Sequence, residues 1–303
     1  MQKIVTTVIE SSNFPDISVD TLATVYNTGN IVEVITASRQ YNTLLPYRKL
    51  NKNQFVNTET GEIGFYNRSV GKASQSSLTK TFTKLRRIIN QNFVGDETEL
   101  FLTLTYATYM EDLLRVRKDF KRFIASLRHH VPVEYVACIE PQASGSWHLH
   151  VLLKRLDGVK LTVSKPLLEK LWKQGIPFVE PLPFTDNFGA YFTARLIDID
   201  ELEGEEHSLQ RQKKSIIKGQ RLRYYPSGLH IYRCSRGIKR PVPQRLLYGE
   251  AMQMVRSLKP CYQTKKNIII KNADGTERTV NEIFYQQFQK TEGRNHNAKN
   301  NPN

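Results

Sequence analysis

His148 and His150 flank Leu149 in the run WHLHVLL, whose apolar content predicts a strand. Successive strand side chains leave opposite faces, so both imidazoles project from one face while Leu149 points into the core. Two imidazoles on one face can share a metal ion, although such pairs also occur as half-buried polar packing. Glu140 ends the preceding predicted strand eight residues before His148. An antiparallel hairpin with an odd-length loop brings it to the same side. Two nitrogens and a carboxylate leave room for phosphate and water, which suits Mg²⁺ or Mn²⁺ acting as Lewis acid on a phosphodiester. The alternative for Glu140 is to start the turn or to pair with a nearby base.

Tyr191 and Arg195 lie four apart in NFGAYFTARLI, a predicted short helix, and are therefore neighbours on its surface. Tyr191 can belong to an apolar stripe with Phe188, Phe192 and Leu196, but it falls at the edge of that stripe, beside Arg195. A phenol near a cation and a metal has its ionised form favoured, as a tyrosine nucleophile requires near neutral pH.

The elements that must position these residues are legible as periodicities. Leu78, Phe82, Leu85, Ile88 and Ile89 predict an amphipathic, basic helix over 76–93. ELFLTLTY alternates Phe101, Thr103 and Thr105 against Leu102, Leu104 and Tyr106, as a half-buried strand does. A second helix starts near Asp112, then VEYVACIE and SWHLHVLL form two strands about the turn PQASGS. A third helix is expected from Pro166, capped by Ser164 and ended at Gly175, followed by the proline-interrupted edge strand IPFVEPLPF. Asp186 is the expected cap of the helix carrying Tyr191. The order β-α-β-β-α-β predicts an α+β fold, a ferredoxin-like antiparallel sheet with helices on one face, plus N- and C-terminal extensions. The expected divisions are an N-terminal extension over 1–75, an endonuclease domain over 76–200, a basic DNA-binding extension over 201–260, and a C-terminal hairpin with a disordered tail over 261–303. In the first of these a hairpin is expected around Thr58 to Gly61.

The net charge of +15 makes a polyanion a plausible partner. From His207 to Arg245 there are eleven Lys or Arg and no acidic residue, directly after the run Asp198, Asp200, Glu201, Glu203, Glu205 and Glu206. Such a block can be a solvated face, but Tyr224, Tyr225, His230 and Tyr232 interleave it, as base stacking beside phosphate neutralisation requires. Arg221, Arg223, Tyr225, Arg233 and Arg236 are the expected DNA contacts there. No phosphate-cradling G-x-x-x-x-G-K-[ST] occurs, so an ATPase or helicase is excluded at motif level and unwinding falls to another protein. Cys138, Cys234 and Cys261 are too widely spaced for a CxxC site and are expected to be reduced. The chain lacks a long apolar run and a signal-like start, so a cytoplasmic protein away from the membrane is expected.

FLTLTY, then WHLHVLL with Glu140 eight residues before His148, then GAYFTARL, in this order, resemble the HUH endonucleases, above all the single-tyrosine initiators of rolling-circle replication. YRKLNKNQFVNTETGEI, CIEPQASGSWHLHVLL and YYPSGLHIYRCSRGIKRP are similar to members of that group from Gram-positive plasmids, phages and integrative elements. The resemblance spans roughly residues 46–245. It implies His148 and His150 as metal ligands with Glu140 the third, Tyr191 as nucleophile, and a structural and DNA-orienting role for the motif holding Thr103 and Thr105. Such proteins commonly carry a lysine three or four residues after the tyrosine; here Arg195 stands, able to clamp phosphate but not to donate a proton. The implied substrate is single-stranded or extruded origin DNA in a bacterial host, with host helicase and polymerase as partners. With one evident tyrosine, termination calls on a water or on a second monomer, hence a homodimer. Competing expectations are a relaxase or transposase of the same chemistry, and a non-catalytic RNA-binding ferredoxin-like module.

Overall fold

The computed structural model describes residues 3–9, 16–38, 47–51, 53–58, 60–66, 73, 75–142, 144–183, 185–197, 199–200, 216–217, 220–271 and 274–290. The chain divides into two compact units, one built from residues 1–68 and 241–303 and the other from 69–240.

The first unit opens with β1 (Lys3–Ile9), β2 (Leu22–Thr28) and β3 (Ile31–Ala37). Gly29, at φ 59°, lets the two-residue turn between β2 and β3 follow the strand twist. A separate small sheet follows, in the order β4 (Tyr47–Lys49), β5 (Gln54–Asn57), β6 (Ile63–Phe65). Its β5–β6 hairpin encloses the expected turn at 58–61, where Gly61 takes φ 76°.

The second unit begins with α1 (Gln75–Asn92), then β7 (Glu99–Leu104) and α2 (Leu113–His130). Asp112 caps α2 by accepting the Leu114 and Arg115 N–H groups. The hairpin β8 (Glu134–Pro141) and β9 (Trp147–Lys154) comes next, followed by α3 (Lys165–Trp172), β10 (Pro177–Pro181) and α4 (Phe188–Ile197). The short pair β11 (Ile199–Asp200) and β12 (Ile216–Ile217), a 3-10 turn (Gln220–Tyr224) and β13 (Tyr232–Cys234) complete it. The chain then returns to the first unit through β14 (Gln244–Leu247), α5 (Tyr248–Met254), and the long hairpin β15 (Pro260–Lys271) and β16 (Glu277–Gln289). These strands join the N-terminal ones in one sheet, β1-β15-β16-β3-β2-β14. The two chain ends thus build a common sheet rather than separate extensions.

The sheet of the second unit runs β10-β7-β9-β8-β13, with every neighbouring pair antiparallel. Leu102, Leu104, Ile139, Leu149, Val151 and Leu153 pack on one face against α2 and α3. Phe101, Val136, Cys138 and Leu152 pack on the other against α1 and α4. Helices therefore cover both faces, which corrects the one-face expectation: the basic helix α1 and the helix carrying Tyr191 bury their apolar stripes against the second face. Central β9, enclosed on both sides, is buried at every position but its last.

The basic block is also not an appended extension. Tyr225, Ile231 and Ile238 sink into the second core and β13 extends the sheet beyond β8, because the apolar residues spaced through the block supply a missing edge. Residues 207–215 and 218–219 of that block, all of the acidic run except Asp200, and the tail beyond Lys290 lie outside the described residues. Two caps differ from expectation. Asn187, not Asp186, accepts the Ala190 N–H at the start of α4, and α3 ends on Lys173 at φ 59° rather than at Gly175. A Cβ on Gly175 would collide with the Thr105 carbonyl, so its small size serves packing.

Candidate metal centre

Strand register assembles the site. Thr103, His150, Cys138 and Tyr232 stand opposite one another across β7, β9, β8 and β13, and Glu140 stands opposite His148 in an adjacent row. Opposed residues in antiparallel strands share a face, so these side chains converge on the face covered by α1 and α4. His148 Nε2 lies 2.5 Å from Glu140 Oε2, and His150 Nε2 contacts the same oxygen. The three ligand atoms lie within 4.8 Å of one another, and all three residues are buried.

Each ring is set differently. Thr103 Oγ1 lies 3.2 Å from His150 Nδ1; a proton on Nδ1 donated to the threonine would leave Nε2 as the free ligand atom. Phe101 stacks on the His150 ring at 5.4 Å and Phe192 of α4 meets it edge-on at 6.2 Å. His148 Nδ1 is buried with no hydrogen-bond partner among the described residues. Burial drives the Glu140 pKa upward, but the charge of His150 and hydrogen bonds with both histidines outweigh it and hold the carboxyl well below the carboxylate range. For His150, burial is the leading cause of a lowered pKa, over the opposing pull of Glu140, and the nearby charges of His148 and Arg195 add to it. An ionised carboxylate between two neutral imidazoles is the donor set a divalent cation takes, so the residues fit a metal.

α4 is fastened over this face at both ends. Asn90 of α1 accepts the Gly189 N–H at 2.7 Å and donates to Asn187 Oδ1 at 3.0 Å. Gly189 is required because a Cβ there would collide with the Arg86 carbonyl. At the other end the buried Tyr225 hydroxyl donates to the Leu196 carbonyl at 3.1 Å. Between them Phe192 points down onto Phe101 and His150, and the Arg195 guanidinium lies 5.3 Å from the Phe101 ring centre. Tyr191 is 49% exposed beside this buried face, its ring 6.1 Å from that of Phe188.

The residues expected at DNA separate into two groups. Arg223, Arg233 and Arg236 are exposed. Arg223 lies over the Tyr224 ring at 4.9 Å, whereas Arg233, opposite Ala137, is on the sheet face away from the histidines. Three expectations are corrected. Tyr225 is fully buried and holds α4. Thr105 donates its hydroxyl to the Ile176 carbonyl at 2.7 Å, tying the end of β7 to the segment before β10. Arg221, only 3% exposed, places Nε 2.8 Å from Glu140 Oε1 and donates to the Pro141 carbonyl at 3.1 Å. No local pattern announces that pairing, since the partners are some eighty residues apart. Nor does any sequence signal mark Phe178, which stands opposite Thr103 on the same face, at the sheet edge, and is 55% exposed.

All three cysteines are free. Among the described residues no helix is long and apolar enough to cross a membrane. No curated protein and no solved structure matches the chain. A family model described as a replication-associated protein of the ORF2 type matches residues 99–198, from the first residue of β7 to just past α4. That segment contains Glu140, both histidines and α4, and the match supports a role in the initiation of DNA replication.

Proposed function

We propose that this protein is an HUH-type initiator of rolling-circle replication that nicks one strand of origin DNA with Tyr191. The observation that carries the reading is the convergence of Glu140, His148 and His150 beneath a helix that bears Tyr191 and Arg195. The strand order β10-β7-β9-β8, with α2 and α3 on one face, is that of a ferredoxin-like fold, here extended by β13 and covered on its second face.

His148, His150 and Glu140 would hold Mg²⁺ or Mn²⁺. Such an ion supplies Lewis-acid polarisation of the scissile phosphate. Tyr191 loses its phenolic proton to solvent and its oxygen attacks phosphorus; the P–O3′ bond breaks, and its electron pair leaves on O3′, which takes up a proton. The products are a 5′-phosphotyrosine and a 3′-OH that host polymerase extends, and the retained phosphodiester energy allows later joining without ATP. Arg195, always charged, orients the phosphate and is not the acid. Arg223 and Arg236 supply backbone contacts to single-stranded or extruded DNA, and the exposed Phe178 offers a ring for an unpaired base. The setting is the cytoplasm of a bacterial host, with a host helicase for unwinding.

A relaxase or transposase shares this chemistry. A purely RNA-binding module would have no use for a buried carboxylate between two imidazoles. Incubating the protein with a pool of single-stranded oligonucleotides and Mn²⁺ should yield a protein band shifted by attached DNA. Nicking with no attached strand would overturn the tyrosine mechanism.

A further inference from the structure

Glu140 faces two partners at once. Oε2 meets both imidazoles, while Oε1 meets the Arg221 guanidinium at 2.8 Å. Arg221 is itself anchored to β8 through the Pro141 carbonyl, 3.1 Å away and next in sequence to Glu140. Both side chains are buried, at 2% and 3% exposure. Arginine's planar fork can fix both the position and the plane of a carboxylate, which a carboxylate on a flexible stem cannot do alone.

We infer that Arg221 is a positioning residue of the metal centre, holding Glu140 so that a single oxygen, Oε2, is presented to the ion. This rests on the metal-binding reading above. It also means that the centre is completed from the 3-10 turn at 220–224, outside residues 99–198 that match the replication family. Outer partners of metal ligands characteristically change metal affinity about 10–100-fold when replaced.

The sign of the effect identifies the role. Arg221 carries a positive charge beside the place of a cation, so on Coulomb grounds alone its removal would tighten metal binding. Positioning requires the opposite. Mn²⁺ affinity should be measured by calorimetry on the full-length protein without DNA, alongside thermal unfolding of the metal-free form. R221K keeps the charge but loses the fork, and should weaken Mn²⁺ binding about tenfold; R221M should weaken it about 100-fold. In a Glu140→Gln background the further change R221K should have little effect, since the group it orients is no longer a carboxylate. Tighter Mn²⁺ binding in R221M, or unchanged affinity in R221K with a lowered melting temperature, overturns the inference. Should the variants not fold, the wild-type protein still decides. The Arg221 Nε–H resonance should remain slow to exchange with solvent when Mg²⁺ is added, and its loss would mean that the ion pair gives way to the metal. Wild-type protein that binds no Mn²⁺ at all would instead sink the metal-centre reading itself.

Discussion

The two faces of the sheet in the 69–240 unit are made from the same three central strands, β7, β9 and β8, but packed to different ends. The α2/α3 face is continuous apolar packing of Leu102, Leu104, Ile139, Leu149 and Val151 against Phe120, Phe123 and Trp172. The α1/α4 face gives up several such positions to Thr103, His148, His150 and Glu140, and then buries Arg221 to compensate a buried carboxylate. Burying a charge without a partner costs several kcal/mol, about 3–5 when one member of a buried pair is removed. Apolar residues at those positions would stabilise the fold at least as well. A fold that keeps a buried polar cluster on one face and plain packing on the other separates stability from chemistry in space, and neighbouring residues on one strand can test the separation.

Leu149 and His150 are adjacent on β9 and point to opposite faces. His150→Ala should abolish nicking altogether and eliminate stabilisation by Mn²⁺, which in the wild-type protein should reach about 2.7 kcal/mol at a hundredfold excess over Kd. Leu149→Ala should cost about 2–5 kcal/mol of stability yet retain the Mn²⁺-dependent rise in melting temperature, reversible by a chelator. Loss of that rise in Leu149→Ala would mean that the two faces are not separable.

Tyr191→Phe removes one oxygen from a half-exposed ring that packs near Phe188. It should leave melting temperature and Mn²⁺ affinity within error of wild type and form no DNA adduct, as read on a denaturing gel with 5′-labelled product. A 5′ attachment that persists in this variant removes Tyr191 from its role.

The clamp on α4 gives a smaller, graded effect. Asn90→Ala deletes the acceptor for the Gly189 N–H and the donor to Asn187, and should cost about 1 kcal/mol. Because α4 carries Tyr191 and Arg195, nicking should slow while Mn²⁺ affinity is unchanged. Equal losses of both would place the metal centre under the control of α4, contrary to its assembly by strand register.

The histidine pair, its carboxylate and the strand parity that unites them were legible because a period of two is local, and one eight-residue offset fixes the hairpin register. α1 and α2 were legible for the same reason at a period of 3.6. The second helical layer was not, because an amphipathic stripe records that a helix buries one side without recording against what. Arg221 and Tyr225 looked like a DNA-binding surface because composition counts charge and rings but not depth; one is buried on Glu140 and the other beneath Leu196. Ligand and ion-pair partner both describe Glu140: its two oxygens serve the histidines and a base at the same time. The common sheet of the two chain ends was invisible because its pairings, such as Ile4 with Ile270, join residues with the whole second unit between them.

The remaining charges offer the finest distinction between the faces. Arg223 and Arg236 are exposed, and Arg233 is exposed on the face away from the histidines. If DNA approaches the α4 side, neutralising Arg223 and Arg236 should lower the slope of log affinity against log salt by about one unit for each phosphate left without its cation. Arg233→Gln should leave the slope unchanged, although it removes the same charge from the same block. The titration needs single-stranded DNA bound by the Tyr191→Phe variant, so that cleavage does not consume the ligand. Net charge falls by one in each single variant, so a general electrostatic attraction would move all of them alike. Equal slopes for Arg223→Gln and Arg233→Gln would therefore leave the DNA side unassigned to either face, while a change confined to Arg233→Gln would put the bound strand on the face opposite the metal and break the proposed site apart.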